Sequence, residues 1–247
     1  SIELGKPADY GQFIVERRFA LARTYAPAAF ARRGRYLDVG CGNGAQTILF
    51  AAQFDSWMGI DVEEDRLEEF RRELTRGDYA AARAPHEILR YDGDHIPVAD
   101  NSQDTLSCIE VIEHTTDDAA TIRELFRVLK PGGTAIITVP NKWWIFETHG
   151  ATLPLLPWNR VPFFSWLPHV LHGRFAKARI YRKAQIERML SAAGFRIDES
   201  LYVTAPMDML RPEALQKAVR SAFFGSDRTK IPFLSTSVML IATKPQS

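Results

Sequence analysis

The sequence predicts an α/β fold with a doubly wound parallel sheet. Three observations carry the prediction. Short apolar runs alternate with helix-patterned stretches from residue 35 to residue 140. The first run opens into a glycine-rich loop, LDVGCGNGAQ (37–46), that leads straight into a helical pattern. The second run ends on an acidic residue, Asp61, about twenty residues beyond the first glycine of that loop. Taken in order, residues 9–31 read as a helix, with Phe13, Arg17 and Leu21 at helical spacing among many alanines. RYLDVG (35–40) is a strand ending in glycine, AQTILFAAQF (45–54) a helix, WMGID (57–61) a strand, and EEDRLEEFRREL (63–74) a helix with charge on its outer face. HEILRYD (86–92) and DTLSCIE (104–110) follow as strands three and four. DDAATIRELFRVL (117–129) is a helix that KPGG (130–133) stops, and TAIITVP (134–140) is strand five. Order breaks after Asn141 and returns with RKAQIERMLSAAGF (182–195), a helix closed by Gly194. RIDESLYVT is a strand, a helix is expected near 212–222, and STSVMLIAT (235–243) is the last strand.

The chain has 247 residues, of which 46% are hydrophobic and 25% charged, which suits one globular domain with a sizeable core. A net charge of +1 gives no bulk attraction to nucleic acid, and no DNA partner is expected. The two cysteines, Cys41 and Cys108, lie far apart near apolar runs and read as reduced buried thiols. No apolar run approaches the ~18–20 residues that span a bilayer, and no signal-peptide pattern is read. The expected location is cytoplasmic, with peripheral membrane contact as an added reading.

In the glycine loop, Gly40, Gly42 and Gly44 allow a tight turn and close backbone approach to a ligand, and the following helix is expected to offer amide N–H groups. Asp38 stands two residues before Gly40, where its carboxylate can receive an ammonium group. Asp61, ending strand two, is placed for ribose hydroxyls. The alternative for both aspartates is helix capping or turn formation. LDVGCGNG, GID, YDGDHIPVADNSQDTL, EVIEH and RVLKPGG stand in the order seen in class I S-adenosylmethionine-dependent methyltransferases, and the chain resembles that family strongly over roughly residues 35–140. The resemblance implies a Rossmann-like sheet of seven strands with the last antiparallel, and S-adenosylmethionine as cofactor. It implies that Asp38 and the backbone at Gly40 hold the methionine end, Asp61 the ribose, and Asp92 and Gly93 the adenine. Glu110 would lie beside the methionine moiety, and Gly42, Asn43, Gly44 and Val62 complete the implied set. Asp92 has a competing reading, because DGD is also a good turn. Val98 and Gln103 depart from the family pattern at positions that touch packing more than chemistry.

EVIEH (110–114) places Glu110, Glu113 and His114 where strand four ends. If these residues form one helical turn, the three side chains share a face. His114 suits a general base, with an unperturbed pKa of about 6.5. The alternatives are a structural histidine and a divalent-metal site. The last follows from relatives in ubiquinone-pathway and small-RNA O-methyltransferases that carry a similar ExxEH. Here the further histidine would be His149, which reads alternatively as an acceptor contact. No metal ligand is assigned. His86, His95, His169 and His172 read as surface or structural.

Residues 142–181 form an aromatic-rich insertion after strand five, expected to be an acceptor-side insertion or lid. Trp143, Trp144, Phe146, Trp158, Phe163, Phe164 and Trp166 would build an apolar acceptor pocket. They read alternatively as a membrane-interface surface with Arg174, Lys177, Arg179, Arg182 and Lys183, or as a self-packed cap or dimer face. The expectation is a single methyltransferase domain over 1–247, with an N-terminal helical segment at 1–34. It would O-methylate a small hydrophobic or lipid-like acceptor, with His114 and His149 as catalytic residues. The rivals are a metal-assisted RNA or sugar O-methyltransferase and a non-catalytic cofactor-binding protein.

Overall fold

The computed structural model describes residues 8–144, 151–153, 156–158, 164–166, 178–205, 218 and 227–246. Two helices come first, α1 (Phe13–Tyr25) and α2 (Pro27–Arg32). The single helix expected over 9–31 is thus two, because Pro27 has no N–H to continue α1 and instead starts a new helix. Arg17 lies on the buried side of α1 with Leu21, whereas Phe13 is among the exposed hydrophobics. The Arg17 guanidinium reaches Thr204 Oγ1 at 2.7 Å and the Asp227 carboxylate at 2.9 Å, and so pins α1 to the far end of the chain.

Strands β1 (Arg35–Val39), β2 (Ser56–Asp61), β3 (His86–Arg90), β4 (Gln103–Ile109) and β5 (Leu129–Pro140) alternate with α3 (Thr47–Ala51), α4 (Glu64–Arg76) and α5 (Asp118–Val128). A short hairpin, β6 (Ala151–Leu153) with β7 (Leu156–Trp158), stands apart. The helix α6 (Lys183–Ala192) precedes β8 (Arg196–Thr204), β9 (Arg228–Thr229) and β10 (Ser235–Thr243). The main sheet runs β3-β2-β1-β4-β5-β10-β8-β9. Strands β1 to β5 pair in parallel, and β10 runs antiparallel between β5 and β8. The antiparallel last strand is as expected. Among the described residues the main sheet has eight strands rather than seven, because the two-residue β9 adds to the edge of β8. So short a strand leaves no hydrophobic period in the sequence to read.

Alternation along the strands sorts the core onto two faces. Leu37, Val39, Leu106 and Ile137 pack under α5 and α6 with Ile122, Leu125, Ile186 and Leu190. Tyr36, Trp57 and Ile136 pack on the other side with Phe50, Phe54, Leu67 and Phe70. Tyr36 stacks on Phe54 at 4.8 Å and Trp57 on Phe70 at 5.7 Å. Helix α5 begins where the Asp117 side chain accepts a hydrogen bond from Ala120 N. Its end is not followed by a turn: Leu129 already enters β5, so KPGG lies within that strand rather than before it. Gly194 closes α6 at φ +105°, where an added Cβ would meet the Phe126 ring at 2.8 Å. The helix expected near 212–222 lies outside the described residues apart from Ala218, which is helical.

Candidate functional site

The strand order reverses between β1 and β4, and a crevice at such a point, outside the carboxyl ends of the strands, is where open α/β sheets bind ligands. Asp38 lies in that region, 2% exposed. It is the register partner of Ser107 on β4, so the Ser107 hydroxyl reaches across and donates to Asp38 Oδ1. The Thr47 hydroxyl, at the start of α3, donates to Asp38 Oδ2 at 2.6 Å. Burial pushes the Asp38 carboxyl up to about 6, and the charge of Asp61 adds to this, while the two hydroxyl bonds pull it back.

Most of the loop amides expected to face a ligand are engaged within the protein. Gly40 N and Cys41 N donate to Ile60 O, Gly44 N donates to Cys41 O, and Ala45 N donates to Asn43 Oδ1. The loop is thereby sewn to β2, and α3 does not begin until Thr47. Two glycines are demanded by close approach as well as by positive φ. A Cβ on Gly40 would stand 2.2 Å from Val111, and one on Gly44 would stand 2.0 Å from the Phe70 ring. Asn43 is buried, and its carbonyl accepts from the Tyr10 hydroxyl, which brings the segment before α1 over the loop.

Asp61 is 8% exposed and accepts two backbone hydrogen bonds, from Gly42 N at 2.8 Å and from Glu63 N at 3.0 Å. Asp61 does not cap α4, and of the two alternatives it is turn formation that is realised; two such bonds leave acceptor capacity on a carboxylate. Val62 comes next to Gly93, with 3.3 Å between its Cγ1 and a Cβ built on that glycine. The ends of β2 and β3 therefore form one wall. Asp92 is exposed and folds back to accept from Asp94 N and His95 N, both at 2.9 Å, which holds its carboxyl below the usual range. That is the turn the DGD sequence allows.

The single helical turn expected for EVIEH does not form. Glu110 has φ +56°, a left-handed conformation that is uncommon for a residue with a side chain. Only Ile112–His114 make a 3-10 turn. The three polar side chains are accordingly split. Glu110 accepts from the Thr138 hydroxyl at 2.8 Å and lies 3.5 Å from the Arg18 guanidinium. Glu113 is fully buried, and burial, then the charge of Glu110, raises its pKa well above the carboxylate range. The His114 side chain, 7% exposed, stands with Nε2 3.9 Å from Glu113 Oε1. Among the described residues no three of His, Cys, Asp and Glu gather as a metal cluster, and His149 lies outside them.

Sequence reasoning missed Arg18. It reaches from α1 to Glu110, its Nε is buried, and that nitrogen makes no hydrogen bond among the described residues. A cation beside Glu110 was legible only as one more basic residue in a helix.

The ends of the insertion meet above this loop. Asn141 bridges to Tyr181, and Lys142 N donates to Tyr181 O at 2.9 Å. Arg179 N donates to Glu113 O, and the Arg179 guanidinium donates to the Thr115 and Thr116 carbonyls. The rings of Trp143, Trp166 and Phe233 form a cluster just past the end of β5, with Arg182 over Trp143 at 5.4 Å. Trp144 is buried. Phe146, Phe163, His169, His172, Arg174 and Lys177 lie outside the described residues, as do the side chains of Trp158 and Phe164. Of the basic residues expected to meet anionic head groups, Arg179 is bound to the loop and Lys183 donates to Ser200 O at 2.7 Å. No helix among the described residues is long and apolar enough to cross a membrane. Cys41 and Cys108 are free and buried.

The sheet switch point thus carries a glycine loop, the buried carboxylates of Asp38 and Asp61, and the largely covered Arg18 beside Glu110. Residues 37–137 match the family described as the methyltransferase domain. Over this segment the chain carries a methyltransferase domain, and its fold is that of solved S-adenosylmethionine-dependent methyltransferases. It is similar to a protein of Mycolicibacterium smegmatis named "Probable S-adenosylmethionine-dependent methyltransferase", 29% identical over 168 residues, which is 68% of this chain and 54% of that one. It is also similar to the ubiquinone biosynthesis O-methyltransferase of Thiobacillus denitrificans, 27% identical over 170 residues, 67% of this chain and 66% of that one. The chain thus spans somewhat more than half the length of these curated relatives. Among solved structures, the [4+2]-cyclase SpnF shares the fold with a TM-score of 0.63 at 21% identity, covering 100% of this chain and 89% of that one. Such a likeness carries the fold and not the reaction.

Proposed function

We propose that the protein transfers the methyl group of S-adenosylmethionine to an oxygen of a small hydrophobic or lipid-like acceptor. The observation that carries the acceptor class is the aromatic cluster of Trp143, Trp166 and Phe233 beyond β5, beside the anchored ends of segment 142–181. The name of the ubiquinone-pathway relative supports the same class.

The residues present fit the cofactor. Asp61 would take the ribose hydroxyls, Asp38 the ammonium group, and Arg18 the methionine carboxylate. Val62, Asp92 and Gly93 would border the adenine, with Gly40, Gly42, Asn43, Gly44 and Glu110 shaping the methionine end. The bound cofactor supplies an activated sulfonium methyl. What remains for the chain is to seat the acceptor roughly 3–3.5 Å from that methyl and to remove its proton. His114 is the base in this reading, held by the 3-10 turn, and His149 is an acceptor contact. Segment 142–181 would serve as the acceptor-side insertion.

The test is labelled-methyl transfer from S-adenosylmethionine into a source-cell extract, followed by organic/aqueous partition. Label in the organic phase supports the apolar acceptor. Label confined to the aqueous phase refutes it and leaves polar acceptors.

A further inference from the structure

A buried hydrogen-bond relay runs behind the cofactor site. Tyr36 and Asp38 share one face of β1, two residues apart, and Ser107 lies across from Asp38 on β4. Ser107 has one hydroxyl proton and donates it to Asp38 Oδ1, so the 2.6 Å contact between Tyr36 Oη and Ser107 Oγ has the tyrosine as donor. Thr47 closes the relay on Asp38 Oδ2 at 2.6 Å. Tyr36, Ser107 and Thr47 are each 0% exposed, so water does not substitute for any of these hydroxyls at the surface.

We propose that Ser107 and Thr47 are positioning residues that keep Asp38 ionised for the ammonium group of the cofactor, with Tyr36 fixing the orientation of the Ser107 hydroxyl. The inference rests on the cofactor reading above. Its physical basis is that a carboxylate removed from water stays charged only if donors replace the water. Both oxygens of Asp38 have such a donor, and neither donor is a cation, so the carboxylate retains its net charge for a ligand. The other titratable groups around it are Tyr36 on the same strand, Cys41 in the loop, Asp61 at the end of β2 and Cys108 on β4. Burial drives the phenol and both thiols upward and leaves them neutral, so Asp61 is the charged neighbour and it opposes ionisation. With the Asp38 carboxyl near 6, cofactor binding is linked to release of a proton to solvent as pH falls below that value.

Calorimetric titration of S-adenosylhomocysteine and of 5′-methylthioadenosine, which lacks the amino-acid group, between pH 5 and pH 8 tests this. For the unaltered protein, S-adenosylhomocysteine affinity should fall about tenfold from pH 7 to pH 5, because one pH unit below the midpoint leaves roughly a tenth of Asp38 ionised. Affinity for 5′-methylthioadenosine should stay flat. Thr47→Val keeps the shape and removes the hydroxyl, and it should move the S-adenosylhomocysteine midpoint upward by about one pH unit. Ser107→Ala should do the same, and Thr47→Ser should restore the original profile. A midpoint unmoved in Thr47→Val and Ser107→Ala overturns the proposal while leaving the cofactor reading intact. A flat S-adenosylhomocysteine profile in the unaltered protein also overturns it. Absence of any S-adenosylhomocysteine binding overturns the cofactor reading itself.

Discussion

Replacing Asp61 by alanine removes the acceptor of two backbone hydrogen bonds, 2.8 Å from Gly42 N and 3.0 Å from Glu63 N, at a residue 8% exposed. Bonds to a charged acceptor contribute about 1.5–3 kcal/mol each, and the two are not independent because they share one carboxylate. The expected loss of stability in the ligand-free protein is about 2–4 kcal/mol. For a chain of this size each kcal/mol moves Tm by about 2–4 °C, so Tm should fall by roughly 4–16 °C. Affinity for S-adenosylhomocysteine should weaken by a further 1–3 kcal/mol, roughly 5- to 150-fold, through lost ribose contacts. The two effects separate by experiment: thermal denaturation without ligand reads the first, and calorimetric titration at a temperature where the variant is fully folded reads the second. A variant with an unchanged Tm would refute the view that Asp61 holds the glycine loop to β2. An unchanged affinity would refute the ribose assignment even if stability fell.

Arg18→Met keeps much of the apolar stem and removes the charge. S-adenosylhomocysteine binding should weaken about 10- to 100-fold with 5′-methylthioadenosine unaffected, and equal losses for both ligands would sink the carboxylate role. Glu113→Gln should change the pH dependence of stability. The folded-state pKa of Glu113 is raised, so the stability it contributes is complete below the ordinary carboxylate range and is lost as pH rises through the folded value. The Gln variant should lack that loss with rising pH, and Tm curves of the two proteins that run parallel from pH 5 to pH 9 would contradict it. His114→Ala should lower turnover by about 10²–10⁴-fold if the imidazole is the base, measured in single turnovers so that product release does not mask chemistry. Near-normal rates would make His114 structural.

Much of the site was legible because it is local. The glycine loop, Asp38 before it and Asp61 at the next strand end follow from strand–turn–helix patterning, and all stand at the ends of β1 and β2. The DGD turn was legible for the same reason, since Asp92 accepts hydrogen bonds from residues two and three positions on. EVIEH was not, because its spacing is compatible with a shared helical face and nothing local announces the left-handed Glu110. That conformation accompanies longer-range contacts: Glu110 N donates to Thr138 O, and its side chain meets Thr138 and Arg18.

By itself the sequence determined the order of most strands and helices and the glycine loop through periodicity, while the antiparallel end of the sheet was implied by the resemblance its motifs carry. Tertiary structure alone decided that Ser107 and Thr47 bind Asp38, that Arg18 comes to Glu110, and that Arg17 locks α1 to Asp227. The physical reason is range. Periodicity reports which side of an element is buried, but a hydroxyl or guanidinium finds its partner only after strands distant in sequence have fixed their register.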